Sequence, residues 1–232
     1  MSEPLILGVI SSMATKKLLA DLGARYESAH PGVRVQVESV GGVDAARRVQ
    51  AGEALDAVVL ARDAIDKLAA TGAALADSRV DIVRSGVTVA VREGAPQPAI
   101  DSEEAVKQAV LAARSIGYST GPSGVALARL FERWGIAEAV AARIVTAKPG
   151  VPVGSLIAKG EVELGFQQRS ELLGLPGIAI LGDLPAVIQI TTTFSAGVCT
   201  SSSQPDAVRA MLSYMASPAA TSAKQRQGMD PA

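Results

Sequence analysis

Strands and helices alternate through the first third of this sequence, and that alternation narrows the fold more than any other feature. Residues 5–10 (LILGVI) form a short apolar run, the pattern of a strand buried on both faces. Ser11 and Ser12 follow, and then Leu18, Leu19 and Leu22 share one helical face. Residues 33–37 (VRVQV) alternate and predict a second strand. Gly41 and Gly42 precede a helix through Ala45, Ala46 and Val49. Residues 57–61 (AVVLA) predict a third strand, after which Asp63 can cap a helix to Thr71, with Gly72 beyond it. This β-α-β-α-β-α order is that of a parallel sheet covered by helices. Ligands of such sheets sit beyond the carboxyl ends of the strands. Ser11, Ser12 and the Gly41-Gly42 pair fall there.

The same grammar recurs at 115–136 (SIGYSTGPSGVALARLFERWGI), around which the second half is organised. A short strand ends near Tyr118, and Ser119, Thr120, Gly121, Pro122, Ser123 and Gly124 come in a row. Leu127, Leu130, Phe131 and Trp134 then follow at helical spacing, and Gly135 ends the helix. Pro122 suits the first helical position, where its missing N–H would have had no partner. The amides of Ser123 and Gly124 then point free from the positive end of the helix dipole, a setting that holds a small anion without a formal positive charge. The plainer alternative is a strand–turn–helix whose serines only cap the helix.

Two long extended stretches suggest passages between lobes. Residues 82–91 (IVRSGVTVAV) are interrupted by Arg84-Ser85-Gly86, and residues 188–193 (IQITTT) read as the return crossing. The expected architecture is therefore α/β and two-lobed. Lobe 1 takes residues 1–84 and 195–232, and lobe 2 takes 85–194. Each is a mainly parallel sheet flanked by helices, and two hinge crossings between them frame a cleft. Between the crossings, Ser102 with Glu103 and Glu104 opens a helix, 138–143 forms another, and 164–168 (LGFQQ) is a strand ending in paired amides. The tail supplies two helices with Pro at their first position, from Pro205 and Pro218, which are expected to pack on the first lobe.

Composition excludes several classes. At 232 residues the chain is long enough for one large domain or two lobes of about 100 residues. Lys and Arg total 22 against 23 for Asp and Glu, with no long block of one sign, which argues against a nucleic-acid partner. Aromatics at 3% leave no base-stacking platform. A single Cys199 and a single His30 exclude an internal disulfide and a zinc site of Cys and His ligands, so no metal or cofactor is expected. His30 stands before the Pro31-Gly32 turn, a poor place for a triad base. No apolar run approaches the ~20 residues of a membrane span. The start shows no basic, apolar and cleavable leader. The chain as it stands is expected in the cytoplasm, or in the periplasm if a leader has been removed.

Ser11, Ser12, Arg84, Ser85, Ser119, Thr120, Ser123, Gly124, Gln167 and Gln168 all lie at strand ends, helix starts or crossings and can face one cleft. Hydroxyls, amides, helix N-termini and an arginine suit a small carboxylate or oxyanion. Each residue also has an ordinary reading, as a helix cap, a surface ion pair or the end of a strand.

Taken in order, these motifs resemble the molybdate-binding-protein family of solute-binding proteins, with the type II periplasmic-binding-protein fold. The resemblance spans nearly the whole chain. It rests on residues 8–12, Ala51-Gly52-Glu53 before Asp56, Gly121-Pro122-Ser123-Gly124, residues 159–165 (KGEVELG) and Ser217-Pro218-Ala219. It implies that Ser12 is a hydroxyl ligand and that Ser123 offers the amide that holds the anion. Gln168 falls where molybdate binders place a tyrosine, and Gly42 or Val43 where they place a second serine. These departures, with Arg84, point from molybdate toward a planar carboxylate, which a bidentate arginine fits.

The central loop and residues 84–92 (RSGVTVAVR) resemble more closely a subgroup that includes aconitate isomerase. That resemblance implies an alternative to pure binding, the interconversion of cis- and trans-aconitate by an allylic proton shift. Such a shift needs a base and clamps for three carboxylates. The sequence supplies clamps. Asp44 and Glu171, the carboxylates nearest the proposed loops, read as ordinary helix-start residues, so the catalytic residue is left open. An ABC permease is an expected partner only of an exported form.

Overall fold

The computed structural model describes residues 3–232. Met1 and Ser2, with which the first expected lobe begins, lie outside the described residues. The chain opens with β1 (Leu5–Ser12), a single 3-10 turn, α1 (Lys16–Ala29), β2 (Val33–Val40), α2 (Gly42–Gln50), β3 (Ala57–Ala61), α3 (Arg62–Ala70) and β4 (Val80–Arg92). It continues through α4 (Glu103–Ala112), β5 (Ile116–Ser119), α5 (Pro122–Arg133), α6 (Ala137–Val140), β6 (Ile144–Ala147), α7 (Val153–Ala158), β7 (Leu164–Gln168), α8 (Arg169–Leu172) and β8 (Ile178–Asp183). It ends with β9 (Thr191–Val198), α9 (Pro205–Ala216), α10 (Thr221–Arg226) and β10 (Asp230–Pro231). Two compact units result. The first runs to Arg84 and resumes at Thr193, and the second is Ser85–Thr192.

In the first unit β1 lies between β2 and β3 and is parallel to both, with Leu5 opposite Val33 and Val9 opposite Ala57. β9 closes β3 antiparallel, Ala57 opposite Val198, and β10 pairs with the start of β4. The pleat alternates side chains between faces. Leu7, Val9, Ala57 and Val59 join Leu18, Leu22, Val208 and Met211 beneath α1 and α9. Ile10, Val58 and Leu60 turn the other way, to Ala45, Val49, Ile65 and Leu68 of α2 and α3. The tail helices thus complete the first unit's core. In the second unit β5 is parallel to β6 and β7, while β7 and β8 pair antiparallel with the rest of β4. Val87, Val89, Leu164 and Phe166 pack on α4 and α5 through Val110, Leu127 and Phe131. Ala90 and Ala147 turn to Val153 and Ile157 of α7.

Local expectations needed revision at several points. Arg84-Ser85-Gly86 does not interrupt the extended run, because β4 is continuous over 13 residues. Gly86 serves a close approach instead, since a Cβ there would lie 2.9 Å from the Gln189 amide nitrogen. The return strand starts later than expected, at Thr191, because Ala186–Ile188 forms a 3-10 turn. Gln189 then receives the Val87 and Ile190 amides on its side-chain oxygen, at 3.0 and 2.8 Å. Asp63 lies inside the first turn of α3, two positions past the capping residue Ala61, so it does not cap the helix. The helix expected at 138–143 divides into α6 and a 3-10 turn. Ser102 does cap α4, accepting the Ala105 amide at 3.2 Å.

Candidate functional site

In the first unit the site elements converge at the carboxyl end of β1. Ser11 is fully buried, and its hydroxyl meets that of Ser39 at 2.8 Å across the parallel register of β1 and β2. Ser12 ends the strand in extended conformation and makes no cap bond. Its carbonyl accepts from the Thr15 and Ser11 hydroxyls, each at 3.2 Å. Its own hydroxyl is buried and has no hydrogen-bond partner among the described residues. A buried hydroxyl left so costs about 1–3 kcal/mol. The start of α2 lies beside it, since a Cβ on Gly42 would stand 3.8 Å from the Ser12 Cβ. The free amides of that helix start and the Ser12 hydroxyl therefore share one place. Asp44, in the same turn, is on the surface and pairs with Arg47 at 2.9 Å.

Arg84 does not join this group by any bond of its own. It is exposed, and its Nε donates to the Pro231 carbonyl at 3.1 Å, where β10 pairs with β4. Ser85, one residue on, turns to the opposite face of the strand and is buried.

In the second unit Ser119, Thr120, Ser123 and Gly124 come together where β5 turns into α5. Gly121 precedes the helix in extended conformation, and the first helical bond runs from the Val125 amide to the Gly121 carbonyl at 3.1 Å. Pro122 has no N–H, so the amides of Ser123 and Gly124 are left without intrahelical partners. Gly124 is fixed by contact. A Cβ there would fall 1.7 Å from the Ser119 carbonyl oxygen, so only glycine lets the helix start close on the strand end. Ser123 is buried and Thr120 is exposed.

The paired amides at the end of β7 go separate ways. Gln168 faces Ser85 and Thr192. In the orientation that satisfies both ends, its oxygen accepts from the Thr192 hydroxyl at 2.8 Å, and its nitrogen donates to the Ser85 hydroxyl at 2.9 Å and carbonyl at 3.0 Å. Gln168 therefore fastens the first residue of the second unit to the last. Gln167 faces α7. Its oxygen accepts the Val153 amide at 2.8 Å, and its nitrogen donates to Glu171 Oε1 at 2.8 Å. Burial pushes the Glu171 carboxyl up to about 7, against the smaller downward pull of the Gln167 bond.

Sequence reasoning missed Ser39, Thr192 and the Val153 amide. Ser39 could have been found by setting the two strands in parallel register. Nothing local marks Thr192 or Val153, which are brought in by long-range pairing. Cys199 is buried, with its thiol pushed up to about 12 by that burial and by Asp56, so it is no nucleophile. His30 is exposed and stacks on Tyr26 at 4.0 Å. A groove of about 250 Å³ lies at the opposite end of β7, beside Leu164, Val91 and Pro98, away from these helix starts. Among the described residues no group of His, Cys, Asp and Glu could hold a metal, and no helix is long and apolar enough to cross a membrane.

A family model described as bacterial extracellular solute-binding protein matches residues 7–230. An aconitate isomerase of a Pseudomonas species is 38% identical over 231 residues, covering 97% of this chain and 87% of the relative. The periplasmic molybdate-binding protein of Azotobacter vinelandii superposes with a TM-score of 0.80 at 21% identity, over 96% of this chain and 98% of that one. The sulfate-binding protein of Mycobacterium tuberculosis gives 0.79 at 15%, over 98% and 87%. At such identities these likenesses show a shared fold, that of the two-lobed periplasmic binding proteins.

Proposed function

We propose, from the premise that the chain belongs to the bacterial extracellular solute-binding protein family, that it binds a small organic anion, a di- or tricarboxylate in preference to a molybdate-type oxyanion. The observation that carries this is the buried Ser12 hydroxyl, which lacks a partner among the described residues and stands at the start of α2. An anionic oxygen there would satisfy it and be favoured by the helix dipole. The Ser123 and Gly124 amides at the start of α5 supply a second place of the same kind. The proposed ligand residues are Ser12 in the first unit and Ser119, Thr120, Ser123 and Gly124 in the second, each unit offering its own place. Ser11, Ser85 and Gln168 support it from behind, their polar atoms bonded to one another or to Ser39 and Thr192. Arg84 is left out of the set. The 38% identical aconitate isomerase favours a tricarboxylate over the inorganic anions named for the structural neighbours. An exported form would deliver its ligand to an ABC permease.

The test is a thermal-shift screen against cis- and trans-aconitate, citrate, molybdate and sulfate. A ligand present at 100 times its Kd stabilises by about 2.7 kcal/mol. A shift with the carboxylates that Ser12→Ala reduces supports the reading. A shift with molybdate or sulfate alone, or with none, overturns it.

A second reading is catalytic, an aconitate isomerase. It is favoured by that relative and by the Glu171 carboxyl, which titrates near neutrality. Incubation with cis-aconitate and detection of trans-aconitate distinguishes it from binding alone.

A further inference from the structure

The large hydrophobic residues left exposed, among the described residues, are Ile6, Val43, Val125, Val151, Ile180 and Val187. A single exposed apolar side chain is ordinary on a protein surface. Two of these six are placed less ordinarily. Val43 is 74% exposed and follows Gly42 at the start of α2, and Val125 is 49% exposed and follows Gly124 at the start of α5. They stand on the two helices whose starts form the two anion places.

The exposed face of each helix is otherwise polar. On α2 it continues with Arg47 and Gln50, and on α5 with Arg129 and Glu132. In both helices a valine opens the outward stripe and an arginine follows one turn later. Neither valine serves the core, since the buried side of α2 is Ala45 and Val49 and that of α5 includes Leu127, Leu130 and Phe131. Valine is also a weaker helix former than alanine or arginine, so helix stability does not call for it. Asp44, beside Val43, is drawn back along α2 by Arg47 at 2.9 Å.

Helix geometry gives the direction. A helical side chain leans toward the amino end, over the turn that precedes its own Cα. Val43 therefore leans past the start of α2, where a Cβ on Gly42 would stand 3.8 Å from the Ser12 Cβ. Val125 leans over residues 121–124, where the Ser123 and Gly124 amides are left without intrahelical partners. In each unit the free donors thus have an apolar neighbour. An inorganic oxyanion presents oxygen on every side, and an apolar wall only strips water from it. A carboxylate presents oxygen at one end and carbon at the other, so the donors take the oxygens while the methyls cover the carbon.

We infer that Val43 and Val125 are specificity-determining residues, each covering the hydrocarbon next to a carboxylate held at its own helix start and so favouring organic acids over inorganic oxyanions; this rests on the binding reading. Covering carbon equivalent to one methyl group is worth about fourfold in affinity.

The experiment titrates the whole chain with trans-aconitate and with sulfate by calorimetry at several temperatures. Val43→Thr and Val125→Thr keep the branched shape and exchange a methyl for a hydroxyl at an exposed position, so the fold should hold. Each should weaken trans-aconitate about fourfold and make its binding heat capacity less negative, with the sulfate response unchanged or stronger. Val43→Ile and Val125→Ile should keep trans-aconitate affinity within about twofold of wild type or raise it. Affinity within about twofold of wild type in both threonine variants overturns the inference and leaves binding standing. So does a loss with unchanged heat capacity, or an equal loss for sulfate, because either marks a damaged site rather than a lost apolar contact. A wild type that binds no carboxylate overturns the binding reading and this inference with it.

Discussion

Each unit builds an anion-ready helix start from the same sequence grammar, but the two starts are made differently. In the second unit the parts are consecutive. β5 ends at Ser119, and α5 opens three residues later, pressed so closely that Gly124 has no room for a side chain. The groups offered there are backbone amides. In the first unit the strand end and the helix start come from different places in the chain. Ser12 ends β1, and the helix beside it is α2, which follows β2. The next helix in sequence, α1, is set off from Ser12 by a 3-10 turn and takes no cap from it. Here the distinctive group is a side chain, the unsatisfied Ser12 hydroxyl. One unit commits its backbone and tolerates no added atom, while the other commits a hydroxyl and leaves ordinary space around it.

The sharpest way to break this contrast is a pair of glycine substitutions. Gly124→Ala puts a methyl 1.7 Å from the Ser119 carbonyl, so strand end and helix start must separate. We expect a loss of about 3 kcal/mol or more, read by urea unfolding, with ligand response lost as well. Gly42→Ala meets atoms only at 3.8 Å, ordinary contact, and replaces a flexible residue in a helix. A gain of up to about 1 kcal/mol should follow. Equal effects from the two substitutions would erase the contrast.

Acidity offers the next largest effect and belongs to the second unit. Glu171 holds its proton more tightly in the folded chain than in the unfolded one, at about 7 against an ordinary 4.5. The folded state therefore binds the extra proton across that window. Rising pH from 4.5 to 7 removes stability, and above 7 the loss is complete, on the order of 3 kcal/mol. The carboxyls of Asp81 and Glu163, held low, act in the opposite sense and below that window, where falling pH removes stability. Melting curves at pH 5 and pH 8 should therefore differ by several degrees more in wild type than in Glu171→Gln.

Smaller still is the difference between hydroxyl and amide. Ser12→Ala removes an unsatisfied buried group, so the free protein should hold or gain up to about 1 kcal/mol while carboxylate affinity falls about tenfold. Ser123→Ala leaves the backbone amide in place, and affinity should change less than about threefold. A larger loss at Ser123 than at Ser12, measured by titration calorimetry, would reverse the assignment of side chain to one unit and backbone to the other.

Much of this was legible from local pattern. The strands near 5–10, 33–37 and 57–61, the Ser102 cap and the strand–turn–helix at 115–136 all follow from periodicity and turn chemistry, which act over a few residues. Glycine at 124 was visible in the motif, but its reason was not, because the Ser119 carbonyl reaches it only once the strand and helix fold together. The extended run at 82–91 was visible too, but its apparent break at Arg84-Ser85-Gly86 was not real, since pairing partners hold β4 straight through it. Glu171 was visible only as a helix-start carboxylate, and Arg84 as a clamp.

What the sequence determined by itself was the alternation of elements and the helix starts rich in hydroxyls and glycine. What only the tertiary structure decided was which polar groups are already spent. Ser11 is consumed by Ser39, Gln168 by Ser85 and Thr192, and the Arg84 Nε by Pro231, while Ser12 is left with an empty hydrogen bond and Glu171 with a displaced proton affinity. The physical reason is that hydrogen-bond satisfaction and desolvation depend on what surrounds a group in space, and those neighbours lie tens of residues away along the chain.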